Sequence, residues 1–105
     1  MEIIELREKL NANGFEIKYY AERNFAVRFK SGHELSVTFG TLSNCSARFC
    51  STLYMALGCT NAEMAGFTPN GAYMRLPKSR YGVVDSVDCE AIYAKAVSWA
   101  KRYGK

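Results

Sequence analysis

The segment from Phe15 to Phe39 alternates apolar and polar residues with a period of two over three short runs, FEIKYY, FAVRFK and ELSVTF. Phe15, Ile17 and Tyr19 fall on one side of the first run, Phe25, Val27 and Phe29 on one side of the second, and Leu35, Val37 and Phe39 on one side of the third. Successive side chains of a strand point to opposite faces, so each run places three large apolar groups on one face. The opposite face receives Glu16, Lys18, Arg28, Lys30, Glu34, Ser36 and Thr38, which suit water. The links AERN and SGH have hairpin length. The pattern predicts an antiparallel three-stranded meander over 15–39 with one apolar face that the rest of the chain must cover.

Helical periodicity supplies the cover. Over 2–12, Ile3, Leu6 and Leu10 recur on one face, acidic residues crowd the start, and Gly14 provides a stop. Over 45–57, Phe49, Cys50, Leu53, Ala56 and Leu57 share a helical face behind a cap at Ser43 or Asn44, with a strand as the alternative. Over 87–103, Cys89, Ile92, Ala96, Trp99 and Tyr103 form a stripe, Asp85 or Ser86 can cap, and Lys101 and Arg102 sit at the negative end of the dipole. Between these, Thr60 and Glu63 have capping-box spacing for one helical turn. Pro69-Asn70-Gly71 then marks the turn of a small hairpin over 65–76, and Val83-Val84 reads as a brief strand. The expected fold is a single α+β domain over 1–105, a two-layer arrangement with helices 2–12, 45–57 and 87–103 on one face of an antiparallel sheet.

Length and composition narrow this only a little. A chain of 105 residues, 49% apolar and 13% aromatic, can bury one core without disulfides. MEIIELREKL lacks the basic-then-apolar order of a signal peptide, and no apolar run approaches the roughly 20 residues of a membrane span. A cytoplasmic location and four free thiols, Cys45, Cys50, Cys59 and Cys89, are the expectation. Net charge is +4, carried mainly by the second half of the chain. This permits an acidic partner without demanding one.

The cysteines are spaced without a paired knuckle, and His33 is the single histidine, so no metal site or cofactor is predicted. Cys50 and Cys89 lie on apolar stripes, where a cysteine serves as a small core residue. Cys45, at a helix start, could pair with His33 as a nucleophile, but no local signature accompanies it. Asp85, Asp88 and Glu90 are explained by capping and by the dipole. The segment AYMRLPKSRYG (72–82) interleaves Tyr73 and Tyr81 with Arg75, Lys78 and Arg80. This composition suits a protein interface, where Tyr and Arg are enriched; it also suits phosphate pairing with base stacking, and it suits an ordinary solvated hairpin.

Residues 2–57, read as α-β-β-β-α, are similar in element order to a double-stranded-RNA-binding domain. That family opens its second helix with a basic cluster that grips phosphates. The matching SNCSARFC here holds only Arg48. The family's histidine-bearing loop between the first two strands is matched by AERN, without a histidine.

Taken together, the residues favour a small non-catalytic protein-interaction module whose contact surface is Tyr73, Arg75, Lys78, Arg80 and Tyr81. A concrete form is an inhibitor from a phage or other mobile element, anti-CRISPR-like, that binds a protein or nucleoprotein machine. The alternative is direct nucleic-acid binding through 72–82 and the basic groups Lys18, Arg28 and Lys30. An enzyme built on Cys45 comes third. No membrane partner is expected.

Overall fold

The computed structural model describes residues 1–40, 53–79 and 82–105. Five strands and three helices follow in the order α1 (Ile3–Ala12), β1 (Glu16–Ala21), β2 (Asn24–Arg28), β3 (Glu34–Thr38), α2 (Leu53–Ala56), β4 (Asn61–Phe67), β5 (Val83–Asp88) and α3 (Cys89–Tyr103). All five strands form one antiparallel sheet in chain order, β1-β2-β3-β4-β5. The two-layer α+β architecture and the 15–39 meander are as the residue pattern predicts.

One sheet face carries the core. Phe25, Val27, Phe29, Leu35, Val37 and Phe39 are buried there, and Met64 and Ala62 continue the layer on β4. Ile3, Leu6 and Leu10 of α1 and Cys89, Ile92, Ala96 and Trp99 of α3 pack against them. Phe29 meets Phe15, Trp99 and Tyr103 with ring centroids 5.7–6.4 Å apart, in edge-on or tilted contacts that suit aromatic quadrupoles. Each such fully buried side chain stabilises by about 1.5–3 kcal/mol relative to exposure. Every buried side-chain nitrogen or oxygen among the described residues has a partner.

Helix ends follow their local chemistry. Glu5 accepts from the Glu2 N–H at 2.9 Å, satisfying a donor that the helix start leaves free. Gly14 ends α1 with φ +81°, a conformation that favours glycine. At the other end of the chain, the Gly104 and Tyr103 carbonyls accept from the Lys30 and Ser31 N–H groups at 2.9 and 3.2 Å. His33 stacks on Tyr103 at 3.8 Å. The tail of α3 is thus pinned to the β2–β3 turn.

Three expectations change. Residues 60–63 are not a helical turn, because Asn61–Phe67 is β4, in register with β3 from Thr38↔Glu63 to Glu34↔Phe67. The open edge of the meander gains a full ladder of hydrogen bonds that way, which outweighs a local capping pattern. The final helix begins at Cys89 rather than residue 87, since Val83, Val84 and Val87 pair with Ala65, Met64 and Ala62. Asp85 and Ser86 are therefore strand residues, and Asp88 precedes the helix without a side-chain capping bond. The arms of the 65–76 hairpin meet at one bridge, Phe67↔Tyr73, around the turn closed by Gly71 N–H to Thr68 O at 2.9 Å, while its first arm belongs to β4. Of the 45–57 helix, Leu53–Ala56 is helical, and 45–52 lies outside the described residues. The order of the described elements from Ile3 to Ala56 is α-β-β-β-α, as read for 2–57; beyond it two further strands extend the sheet, and α3 joins α1 over the core. No described helix is long and apolar enough to cross a membrane.

Candidate functional site

The face opposite the core carries no helix in the described structure, and the register shows how it is shaped. Glu16, Arg28, Glu34, Phe67 and Tyr73 line up across the strands as one row. The next row is Lys18, Ala26, Ser36, Ala65 and Val83. A third contains Asn24, Thr38 and Glu63. Tall rows flank a row whose centre is Ala, Ser and Ala. The result is a groove of about 550 Å³ running across the sheet.

Its polar wall is hydrogen-bonded. Asn24 donates through Nδ2 to Thr38 Oγ1 at 2.8 Å and to Ser36 Oγ at 3.0 Å, fixing both hydroxyls. Tyr20, which stands at an irregularity of β1, donates its hydroxyl to Glu34 at 2.8 and 2.9 Å to the two carboxylate oxygens. To reach Glu34 from the edge strand, the Tyr20 ring leans across the small-residue row. Ala26 is accordingly only 1% exposed although it sits on the open face, while Tyr20 is 60% exposed. The bond to Glu34 raises the Tyr20 phenol above its ordinary pKa. Arg28 Nη1 lies 3.7 Å from the same carboxylate. At the opposite end Phe67 and Tyr73 pack at 4.6 Å between ring centroids and form an aromatic wall.

The residues singled out from sequence divide. Tyr73 is 59% exposed and lines the groove. Arg75 and Lys78 are exposed on the following segment and do not line it. Met74 and Leu76 turn toward the core and hold that segment down. Arg80 and Tyr81 lie outside the described residues, as do Cys45, Cys50 and Arg48. Of the basic groups expected on this face, Lys18 lies 3.5 Å from Glu16, Arg28 faces Glu34, and Lys30 stands beside Gly104 at the pinned end of α3. His33 is held by Ser31 Oγ at 2.8 Å and by Tyr103. Cys59 and Cys89 are buried free thiols, and burial pushes Cys89 up to about 12. Glu90 accepts from the amino group of Met1, which holds its carboxyl below the usual value. Among the described residues no three His, Cys, Asp or Glu side chains converge as metal ligands.

Asn24, Ser36, Thr38, Glu63, Ala65 and Phe67 were not singled out as site residues from the sequence. One signal was available: Ala26 interrupts an otherwise polar face, and an alanine there implies that something lies over it.

Both sheet edges are irregular. β1 shifts register between Tyr19 and Ala21, and β5 does so opposite Ala62–Met64, where Ser86 adopts φ +53°. Bulged edges disfavour the addition of a further strand. The fold and groove define a small α+β domain with one open, aromatic-rimmed sheet face. No family model, curated protein or solved structure matches the chain.

Proposed function

We propose that this is a non-catalytic protein-interaction domain whose contact surface is the open sheet face together with Tyr73. The observation that carries this reading is the groove itself, with a small-residue floor, an exposed aromatic wall and hydrogen-bonded polar groups on the other side. Exposed tyrosines beside fixed polar groups supply contact area at low conformational cost, which is the chemistry of protein interfaces. Direct nucleic-acid binding is less well supported. Among the described residues Arg28 is the one basic residue lining the groove, alongside Glu34 and Glu63, and phosphates bind where positive charge accumulates.

The test uses the full chain as bait, with two variants. Ser36→Arg fills the groove, and Lys101→Glu changes charge on α3. A partner retained by wild type and by Lys101→Glu, and lost with Ser36→Arg, supports the proposal. A partner indifferent to Ser36→Arg overturns the assignment of this face. A gel shift with DNA or RNA that fades as salt rises would favour the nucleic-acid reading. The finer form, an occluding inhibitor of the anti-CRISPR kind from a phage or other mobile element, requires that the recovered partner be a nucleoprotein effector inhibited at one-to-one stoichiometry.

A further inference from the structure

We infer that a hollow on the helical layer, between the C-terminal end of α1 and the outer side of α3, receives an acidic segment of a partner protein that presents an aliphatic side chain between two carboxylates. Both helices pack on the core side of the sheet, so this surface is separate from the groove and does not rest on the reading of the open face. The hollow holds about 500 Å³, and Phe15, Tyr93, Val97 and Ala100 supply its apolar lining. Tyr93, Val97 and Lys101 recur every four residues and so share one stripe of α3. Phe15 and Tyr93 meet edge-on, with ring centroids 6.3 Å apart.

Lysines stand around this lining. Lys9 Nζ lies 4.4 Å over the Tyr93 ring, and Lys105 Nζ lies 4.8 Å over the Phe15 ring. Lys101 lines the hollow one turn beyond Val97. None of the three is paired with an acidic side chain. All ten acidic residues of the sequence lie among the described ones, so no other side chain can supply that partner. Glu90, one turn before Tyr93, is engaged by the amino group of Met1. Lys105 donates to the Asn13 carbonyl at 2.6 Å, which covers the negative end of α1 and leaves further N–H donors on the ammonium. Compensation of helix dipoles alone would be served by lysines anywhere around the last turns. Here they converge on one apolar hollow from α1, α3 and the segment after α3. The spacing selects the ligand. Lys101 follows Tyr93 by eight residues, about 12 Å along the helix. In an extended segment, side chains at i and i+4 lie about 13 Å apart, and the one at i+2 faces the same way. A segment of the form Glu-x-Leu-x-Glu therefore sets its leucine on the apolar lining with a carboxylate at each end. The charge of +4 on the whole chain steers such a segment toward the protein.

The experiment is a titration of the isotope-labelled full chain, followed by amide NMR shifts, with acetyl-Glu-Gly-Leu-Gly-Glu-amide, its two-glutamine analogue, its glycine-centred analogue and sodium octanoate below its micellar range. The first peptide is expected to shift the amides of Phe15, Tyr93, Val97 and Ala100 saturably. The glutamine analogue should bind about two- to twenty-fold more weakly, as for the loss of two exposed ion pairs. The glycine-centred analogue should lose about ten-fold or more, as for an apolar side chain left unburied. Lys9→Gln should weaken the acidic peptide, and Lys101→Glu, which a partner on the sheet face tolerates, should weaken it further, so the two surfaces are read separately. Ala100→Leu, which fills the hollow, should abolish the response. Equal affinity for the glutamine analogue overturns the acidic preference, and equal affinity for the glycine-centred one overturns the apolar seat. Octanoate bound more tightly than the peptide at the same amides overturns the assignment to a protein segment. No response to the acidic peptide, or shifts confined to another face, overturns the site. If Ala100→Leu fails to fold, the two lysine variants and the four-ligand comparison still decide the matter.

Discussion

Gly66 sits on the core side of β4, and a Cβ built there would lie 2.6 Å from Trp99 Cη2 and 3.3 Å from Cζ2. The first distance is shorter than non-bonded carbons tolerate, and the neighbour is a ring wedged against Phe29 and Tyr103 rather than a flexible tip. Gly66→Ala must therefore displace either the indole or the strand. Overpacking of this kind costs about 1–3 kcal/mol. The local backbone preference runs the other way, since alanine is favoured over glycine inside a strand by roughly 0.5–1 kcal/mol. A net loss of about 1–2 kcal/mol is expected by combining these two figures. Urea unfolding followed by far-ultraviolet circular dichroism measures it; with a slope of about 1–3 kcal/mol/M the midpoint falls by roughly 0.3–2 M. Trp99 is the single tryptophan, so its emission reports the displacement directly in the folded protein. The decisive arm is the double-mutant cycle with Trp99→Phe, which removes the two clashing atoms. In that background Gly66→Ala should be neutral or stabilising, giving a coupling of 1 kcal/mol or more on the scale of contacting residues. Equal destabilisation in both backgrounds would refute the steric account of Gly66.

Two further outcomes follow from the buried and bridged groups. Cys59 and Cys89 should resist iodoacetamide at pH 8 in the native protein and react on unfolding, because both are buried and the Cys89 thiol is pushed up to about 12; rapid native labelling of either, read by peptide mass analysis, would contradict the packing. The Tyr20 phenol should ionise at higher pH than an ordinary tyrosine and return toward the ordinary value in Glu34→Gln, as read by ultraviolet titration with Tyr20→Phe as the reference. Its folded-state pKa is raised, so the stabilisation it contributes is full below its unfolded value and is lost as pH rises through the folded one; protection of the Ala26 amide from hydrogen exchange should fall over that same alkaline range.

What could be read from the residues depended on how strongly each segment declared its period. The 15–39 runs pair bulky apolar groups with charged ones at strict alternation, and short turns fix their register, so three strands were legible. β4, NAEMAGF, offers no such contrast. Its core side is built from Ala62, Met64 and Gly66, and the last is small because an indole from the other end of the chain lies over it. That reason is tertiary and leaves no local trace. In β5 the irregularity at Ser86 breaks the alternation of the three valines, so only Val83-Val84 stood out. The site divided in the same way. Tyr73 was visible as an aromatic in a turn-rich segment, whereas the groove is defined by what its floor lacks. Ala26, Ser36 and Ala65 become a depression only once three strands set them side by side.

The connection from Thr38 to Asn61 is the longest link in the sheet, ahead of the one from Phe67 to Val83; the β1–β2 turn spans Glu22 and Arg23, and the β2–β3 turn runs from Phe29 to His33. Those two turns dictate which residues face each other, so a single inserted residue there would exchange core for solvent along a whole strand. The long link carries no such duty. Closing a loop costs only the logarithm of its length, and doubling it adds about 0.6 kcal/mol. Phe39, Ala56 and Cys59 of the β3–β4 connection belong to the core, so it is the length of that connection, and not its buried residues, that can change at low cost. Variation in chain length among descendants of this domain should collect there, and the spacing between Phe15 and Phe39 should stay fixed.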